Sequence, residues 1–487
     1  MCNCVSVITY SPMTPQVRPA YCSDTFFVFR PRPDQGSPMN RVLTIAASDS
    51  GGGAGIQADI KTITVLGAYG MSVLTAVTAQ NTLGVTGIHA VPAAFVREQI
   101  DAVMSDIGAT ALKTGMLLNA EIITAVAEAL QCHRVEHLVV DPVMQATSGH
   151  SLIEKDAHEA LRTHLLPLAT LVTPNLAEAA LLTGSPVTTR EHMQQAAETI
   201  YAMGPAAVLV KGGHLEGECV DLLFDGHDHH FFEGPRIDTP HTHGTGCTLS
   251  AAIATLLGRG LGLRDAIEQA RQFLLGALRS ARPLGSGCGP VNHAAGLERS
   301  AALYHCAAAL EDAFSMLQQV GIGELIPEIQ SNMGYAVSGA SGIEDVVAFP
   351  GRIIRLHGGI ARVASPAAGA SRHIAKIILT CLHADGSCRA AMNIVFTPEI
   401  VEHCHALGFS VEEFDRYQEP LDIKQREGST LEWGTGDVIA RTGNVPDIIF
   451  DRGDVGKEAV CRVLGVDPQD VARKIIRIAE ARNEYAD

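Results

Sequence analysis

The sequence predicts an α/β protein: a mainly parallel sheet sandwiched by helices, followed by a second, separate α/β domain. Three observations carry this. Short apolar runs alternate with helical stretches from Arg41 onward, and 487 residues are enough for two or three cores. A turn-rich segment, Pro283 to His293, then breaks the pattern before a long amphipathic helix.

In order, Val42–Ala47 reads as a strand, Ile56–Leu66 as a helix and Ser72–Ala79 as a second strand. Further strands fit Ala109–Lys113, His137–Asp141, Leu171–Thr173 and Ala207–Lys211, with helices such as Phe95–Ser105 and Ala120–Leu130 between them. In such folds ligands sit beyond the carboxyl ends of the strands, where Asp49, Asp141, Asn175 and Lys211 fall. After the boundary come a helix over 297–320, strands at Arg352–Leu356, Ala391–Phe396 and Asp447–Phe450, and a closing helix, Pro468–Glu480. This gives domains at 39–282 and 297–487 with a linker at 283–296. Residues 1–38 read as a disordered extension or the product of a start upstream of Met39.

Composition narrows the function. A formal charge of −17 argues against nucleic acid as the main partner, and no apolar run reaches membrane-spanning length. Twelve cysteines without a CxxC pair fit reduced thiols in a cytoplasm. Cys2 and Cys4 have no further ligands nearby, and the neighbours His403, Cys404 and His405 would point different ways on a helix.

The most informative stretch is His243-Gly-Thr-Gly-Cys-Thr248, which opens an apolar helical run. Glycines there let backbone N–H groups converge, and a helix N-terminus adds about half a positive charge. That suits a phosphoryl group in transit. A cysteine in such a nest is expected to have a lowered pKa and to act as a base or a nucleophile. Upstream, Ser48-Asp-Ser-Gly-Gly-Gly-Ala-Gly55 follows the first strand. Its GxGxxA match is a poor dinucleotide signature, because Gln80-Asn81-Thr82 rather than an acidic residue ends the second strand. A glycine-rich loop cupping a small ring fits better, with Asp59 and Gln80 as hydrogen-bonding groups.

These motifs together resemble the hydroxymethylpyrimidine/phosphomethylpyrimidine kinases of the ribokinase-like superfamily. The similarity runs through Leu43–Asp59, Gly67–Val73, Ala79–Thr82, Lys113–Met116, Asp141–Met144, Thr173–Glu178, Lys211–His214 and His243–Thr248. The resemblance implies that Asp59, Gln80 and Met116 hold an aminopyrimidine. It implies that Asn175 and Lys211 handle ATP phosphates, that Asp141 and Glu178 hold Mg2+, and that Gly244, Thr245 and Gly246 form the anion hole. Cys247 would take the proton from the substrate hydroxymethyl group. Ala47 stands where the family usually has glycine, and Thr147 where lysine is common. Pyridoxal kinase is the rival activity on this fold.

The second half is similar to the ThiN-type thiamine-phosphate synthases through Asn332–Ala336, Pro350–Ile353, Gly369–His373 and Asp447–Glu458. That resemblance implies joining of pyrimidine diphosphate to a thiazole phosphate, with Arg352 and His373 as catalytic groups. Asn332, Asp451 and Lys457 are further candidates for substrate or phosphate contacts. The alternative is a ligand-sensing module. The sequence shows no basic helix-turn-helix and it keeps Arg352 and His373, which favours catalysis. The expected partners are small molecules, with a homodimer as the default assembly.

Overall fold

The computed structural model describes residues 39–144, 155–213, 215, 217, 219–357, 359–420 and 430–484. Thr147 and the extension 1–38 lie outside these residues.

The first domain is a nine-stranded sheet. Its strands are β1 (Arg41–Asp49), β2 (Tyr69–Asn81), β3 (Gly84–Ala90), β4 (Ala111–Thr114), β5 (Leu138–Val140), β6 (Leu171–Val172), β7 (Val208–Lys211), β8 (Val220–Phe224) and β9 (His229–Glu233). The helices are α1 (Gly55–Val65), α2 (Ala93–Asp106), α3 (Ala120–His133), α4 (Lys155–Ala160), α5 (Leu176–Thr183), α6 (Arg190–Tyr201), α7 (Thr245–Gly258) and α8 (Leu263–Arg279). The order is β3-β2-β1-β4-β5-β6-β7-β8-β9, with β2 through β7 parallel and only the edges antiparallel.

Val42 to Ala47 of β1 are buried, as expected of a strand covered on both faces. One core joins the sheet to α2, α3, α5 and α6, and the other joins it to α7 and α8. The antiparallel strands β3, β8 and β9 were not foreseen: Gly84–Ala90 and His229–Glu233 are largely exposed or half-buried, and Val220–Phe224, though buried, is short and broken by Asp221.

The expected linker is instead part of this domain. Gly287 and Cys288 donate backbone N–H bonds to Thr82, and His243 N–H donates to Gly289 O at 3.1 Å. Val291 N–H returns a bond to His243 O. The turn residues that signalled a boundary are there to pass close to other backbone: a Cβ at Gly287 would lie 2.1 Å from Thr82 O. The strap therefore holds the Gln80–Thr82 turn against His243.

The second domain opens with α9 (Ala295–Val320), whose buried face includes Cys306, Leu310, Ala313, Phe314 and Leu317 at helical spacing. Its strands are β10 (Met333–Ala336), β11 (Val346–Ala348), β12 (Ile353–Leu356), β13 (Gly359–Arg362), β14 (Ala367–Ala368), β15 (Ala390–Val395), β16 (Val411–Glu413), β17 (Ile448–Asp451) and β18 (Val460–Gly465). Helices α10 (Arg372–Ala384), α11 (Pro398–Ala406), α12 (Thr430–Thr442) and α13 (Pro468–Glu484) complete it. The main sheet runs β14-β11-β10-β15-β18-β17-β16 and is antiparallel except between β16 and β17. Strands β12 and β13 form a separate hairpin.

Gly287→Ala tests the strap. The substitution should lower the first domain's calorimetric melting transition by several degrees and leave the second domain's transition in place. Equal melting of the wild type and variant would show that the strap adds nothing to the first core.

Candidate functional site

Asp49, at the end of β1, organises the glycine-rich loop. Its Oδ1 accepts from Gly51 N–H, and its Oδ2 accepts from Gly53 and Ala54 N–H at 3.0 and 2.8 Å. The same Oδ2 lies 3.0 Å from His243 Nε2. These bonds, with His243, hold the Asp49 carboxyl below its ordinary range although burial pushes the other way. The loop then meets the turn before α7 backbone to backbone. Gly244 sits at φ +83°, and a Cβ there would fall 1.9 Å from Gly53 O. Only glycine fits both the conformation and the contact.

A cavity of about 740 Å³ lies between these turns and the carboxyl ends of β1, β4, β5 and β7. At one end are Ala47, Thr78, Gln80, Met116 and Val143. In the middle stand Asp141, Asn175, Glu178, Lys211 and the Gly244–Cys247 turn. Arg236, Ile237, Leu274 and Leu278 also line it.

The central charges are tightly arranged. Lys211 Nζ lies 2.9 Å from Asp141 Oδ1 and 4.0 Å from Glu178 Oε2. Thr173 and Ser250 hydroxyls also donate to Asp141. Burial would raise Asp141, but Lys211 and Lys113 outweigh it and hold the carboxyl low. Burial also pushes Glu178 up to about 7; Asp141 adds to that rise and Lys211 opposes it. Asn175 caps α5 in a reciprocal box with Glu178, so its side-chain oxygen is already engaged by Glu178 N–H at 2.9 Å.

Two expectations are corrected. Asp59 does not reach the cavity wall: it is fully buried, accepting from Thr44 Oγ1 at 2.6 Å and from Lys113 Nζ at 2.9 Å. The sequence offered Asp59 as an open carboxylate because Lys113, its partner on β4, is 54 residues away. Burial disfavours the Lys113 ammonium, but the Asp59 and Asp141 carboxylates outweigh it and keep it charged.

The second correction concerns Cys247. Burial pushes its thiol up to about 11, with Asp59 and Asp141 adding to the rise and Lys113 opposing it. Helix dipole and nest were expected to lower it; desolvation and two carboxylates win. His243 is a site residue that the motif contained and the role assignment missed. Its Nε2 lies 3.3 Å from Gln80 Nε2 as well as near Asp49. One nitrogen cannot donate to the carboxylate and accept from the amide at once, and donation to the charged acceptor is the stronger bond.

A second cavity, of about 610 Å³, gathers Asn332, Arg352, His373 and Lys457, which lie far apart in sequence. Arg352 occupies the left-handed region at φ +70°, directly after Gly351 at +72°. A non-glycine residue held there is strained, and such strain clusters at sites. The turn is held by Asn332, whose amide donates to Phe349 O and accepts from Phe349 N–H. Asn332 thus positions Arg352, and its side chain is spent on backbone. Asp451 is corrected more sharply: it is wholly buried and accepts from Arg416 Nε at 2.5 Å and Arg462 Nη2 at 2.7 Å. It cannot contact an anionic substrate, but both arginines line the cavity.

Among the described residues no group of three or more His, Cys, Asp or Glu side chains could hold a metal on its own. Cys404 packs in the second core while His405 is exposed on the other face. No helix among the described residues is long and apolar enough to cross a membrane.

Residues 49–292 match the family model for phosphomethylpyrimidine kinase. The chain belongs to that family. Residues 309–477 match the model for thiamine-phosphate synthase ThiN, so this pyrimidine kinase family member is a fusion of two unlike domains. A Streptomyces coelicolor hydroxymethylpyrimidine/phosphomethylpyrimidine kinase is 50% identical over 263 residues, covering 54% of this chain and 97% of that protein. The Geobacter sulfurreducens thiamine biosynthesis bifunctional protein ThiED is 56% identical over 257 residues. That match covers 53% of this chain and about half, 52%, of the relative's length. Among solved structures, a Bacillus subtilis pyridoxal kinase in its ADP complex aligns with a TM-score of 0.50 at 38% identity. It covers 53% of this chain and 98% of that one. A Staphylococcus aureus pyridoxal kinase with ADP aligns with a TM-score of 0.50 at 35% identity, covering 53% of this chain and 95% of that one.

Cys247 offers a direct check on the site's electrostatics. At pH 7 a thiol near 11 is about one part in ten thousand thiolate. Mass-mapped alkylation of Cys247 should therefore lag that of the exposed Cys132 at pH 8 and still be rising at pH 9.5. A rate that levels off by pH 8 would contradict the burial argument.

Proposed function

We propose that the first domain phosphorylates 4-amino-5-hydroxymethyl-2-methylpyrimidine twice with ATP, and that the second joins the resulting diphosphate to thiazole phosphate. The observation that carries this is the single cavity in which an apolar-walled ring pocket and a cluster of phosphate-handling groups flank Cys247. In this reading Met116, Ala47 and Val143 pack on the pyrimidine, and Gln80 turns its amide to the ring's polar edge. Ile237, Leu274 and Leu278 cover the adenine. Lys211 and the N–H groups at the start of α7 receive the transferring phosphoryl group, so charge neutralisation and alignment supply most of the catalysis.

Asp141 and Glu178 offer hard oxygen donors. With phosphate oxygens and water they fit Mg2+, which commonly takes only one or two carboxylates from a protein. When bound, the metal would supply Lewis-acid charge on the phosphates. Burial holds Cys247 mainly as the thiol, Asp59 and Asp141 add to that and Lys113 opposes it, so the thiolate able to act as a base is a minor form at neutral pH. The Cys247 thiolate, formed when the thiol gives its proton to solvent, takes the hydroxymethyl proton as the oxygen attacks the γ-phosphorus and the bond from that phosphorus to the ADP oxygen breaks.

The second acceptor, a phosphate monoester, is already ionised near neutral pH and needs no base. Cys247→Ala should accordingly cut the first phosphorylation by about 100-fold or more while the second falls less than about 10-fold. Separate assays with the alcohol and the monophosphate test this. Equal losses would leave Cys247 with a packing role.

In the second cavity the C–O bond to the diphosphate breaks with carbocation character, and the thiazole nitrogen takes the carbon. Arg352 can grip the departing diphosphate with its fork of donors, and a protonated His373 can add charge. A one-pot assay with hydroxymethylpyrimidine, thiazole phosphate, ATP and Mg2+ tests the whole reading. Thiamine phosphate should form, and Arg352→Ala should stop it while pyrimidine diphosphate accumulates. Diphosphate without thiamine phosphate in the wild type would leave a kinase with a sensing domain. Faster turnover of pyridoxal would overturn the pyrimidine assignment.

A further inference from the structure

Arg416 and Arg462 belong to none of the motifs, yet both open onto the second cavity. Arg462 lies on β18, in register with Ile449 of β17, and Arg416 follows β16. Their side chains are 3% and 8% exposed. The carboxylate of Asp451, at the end of β17, binds both: Arg416 donates to each of its oxygens, at 2.5 and 3.1 Å, and Arg462 donates at 2.7 Å. Gly453 N–H donates to Oδ1 as well. The Phe414 ring faces both guanidiniums, with centroid distances of 5.8 and 5.3 Å.

Among the described residues the charges on this wall do not balance. Two guanidiniums, which stay protonated in proteins, share one carboxylate in a nearly dry setting. Among the described residues no second carboxylate is in ion-pair contact with them; Glu419, three residues beyond Arg416 and also buried, has no hydrogen-bond partner on its Oε1. Glu458, on the same cavity wall, accepts instead from the backbone N–H groups of Glu328 and Ile329. A buried excess cation is costly unless a partner completes it. Each guanidinium also carries five donors, of which Asp451 and the Val460 carbonyl engage only a part. The cavity wall is therefore built to receive an anion.

We propose that Arg416 and Arg462, held together by Asp451, form a phosphate subsite that takes the phosphate monoester of the thiazole substrate. This rests on the synthase reading of the cavity. The reaction must hold two polyanions at once, and their repulsion requires two cationic groups rather than one. Arg352 and His373 are exposed, which suits a diphosphate that has to leave. The buried pair suits the phosphate that stays on the molecule from substrate to product. Asp451 is a positioning residue that spaces the two forks.

The test supplies pyrimidine diphosphate and thiazole phosphate directly to the full chain and measures both KM values in Arg416→Gln and Arg416→Lys. Arg416→Gln should raise KM for thiazole phosphate at least about thirty-fold, with KM for the diphosphate changed less than about three-fold. Arg416→Lys, which keeps the charge but not the fork, should recover part of the loss. A rise confined to the diphosphate, or no rise in either KM, would overturn the assignment.

Calorimetric binding of inorganic phosphate to wild type and Arg416→Lys covers the remaining cases, including a Gln variant that fails to fold. Phosphate binding that weakens in the Lys variant upholds the subsite, and equal or absent binding overturns it. A wild-type chain that binds phosphate through Arg416 but makes no thiamine phosphate would sink the synthase reading and keep the anion site.

Discussion

Both sites depend on a buried carboxylate at the carboxyl end of a strand whose task is to hold other groups. Asp49 collects three loop N–H groups and the His243 ring, so that two glycine turns meet at Gly53 and Gly244. Asp451 does the same for two arginines. In each case the carboxylate is out of solvent and its charge is matched by fixed donors, where electrostatic bonds are strong and mispairing is expensive. Moving either group would release a loop or a guanidinium that the cavity needs in place.

Asp141 is a further buried acid, and it differs in holding an amine that also lines the first cavity. Lys211 is bound to it at 2.9 Å and stands close to Glu178. The arrangement keeps a cation, two carboxylates and a helix N-terminus within one small volume. Burial is the first cause of the rise in both Glu178 and Cys247; neighbouring carboxylates add to it and the lysines oppose it.

Much of this was legible in the sequence. The parallel core of the sheet followed from alternating apolar runs, and the candidate site residues fell at strand ends as the fold class requires. What was hidden depends on which side chains the register brings together. Lys113 turns Asp59 from an open ligand into a buried ion pair, and nothing local in the sequence around Asp59 announces it. Asp451 was visible as a residue, but its two arginines lie 35 and 11 positions away on other elements. The strap over 283–292 carried linker chemistry, glycine and proline, because close backbone passage needs the same residues as a loose turn.

In the proposed function the pairing of domains has chemical sense, since the diphosphate made by the first half would be the electrophile of the second. The central claim is that the two halves hold phosphate groups at two separate built receptors. A crystal structure of the full chain with a non-hydrolysable ATP analogue, Mg2+ and inorganic diphosphate tests it most directly. The account predicts the analogue's γ-phosphate at Lys211 and the start of α7, and diphosphate between Arg352 and His373 in the second cavity. Diphosphate absent from the second cavity, or an ATP analogue bound away from Lys211, would contradict it.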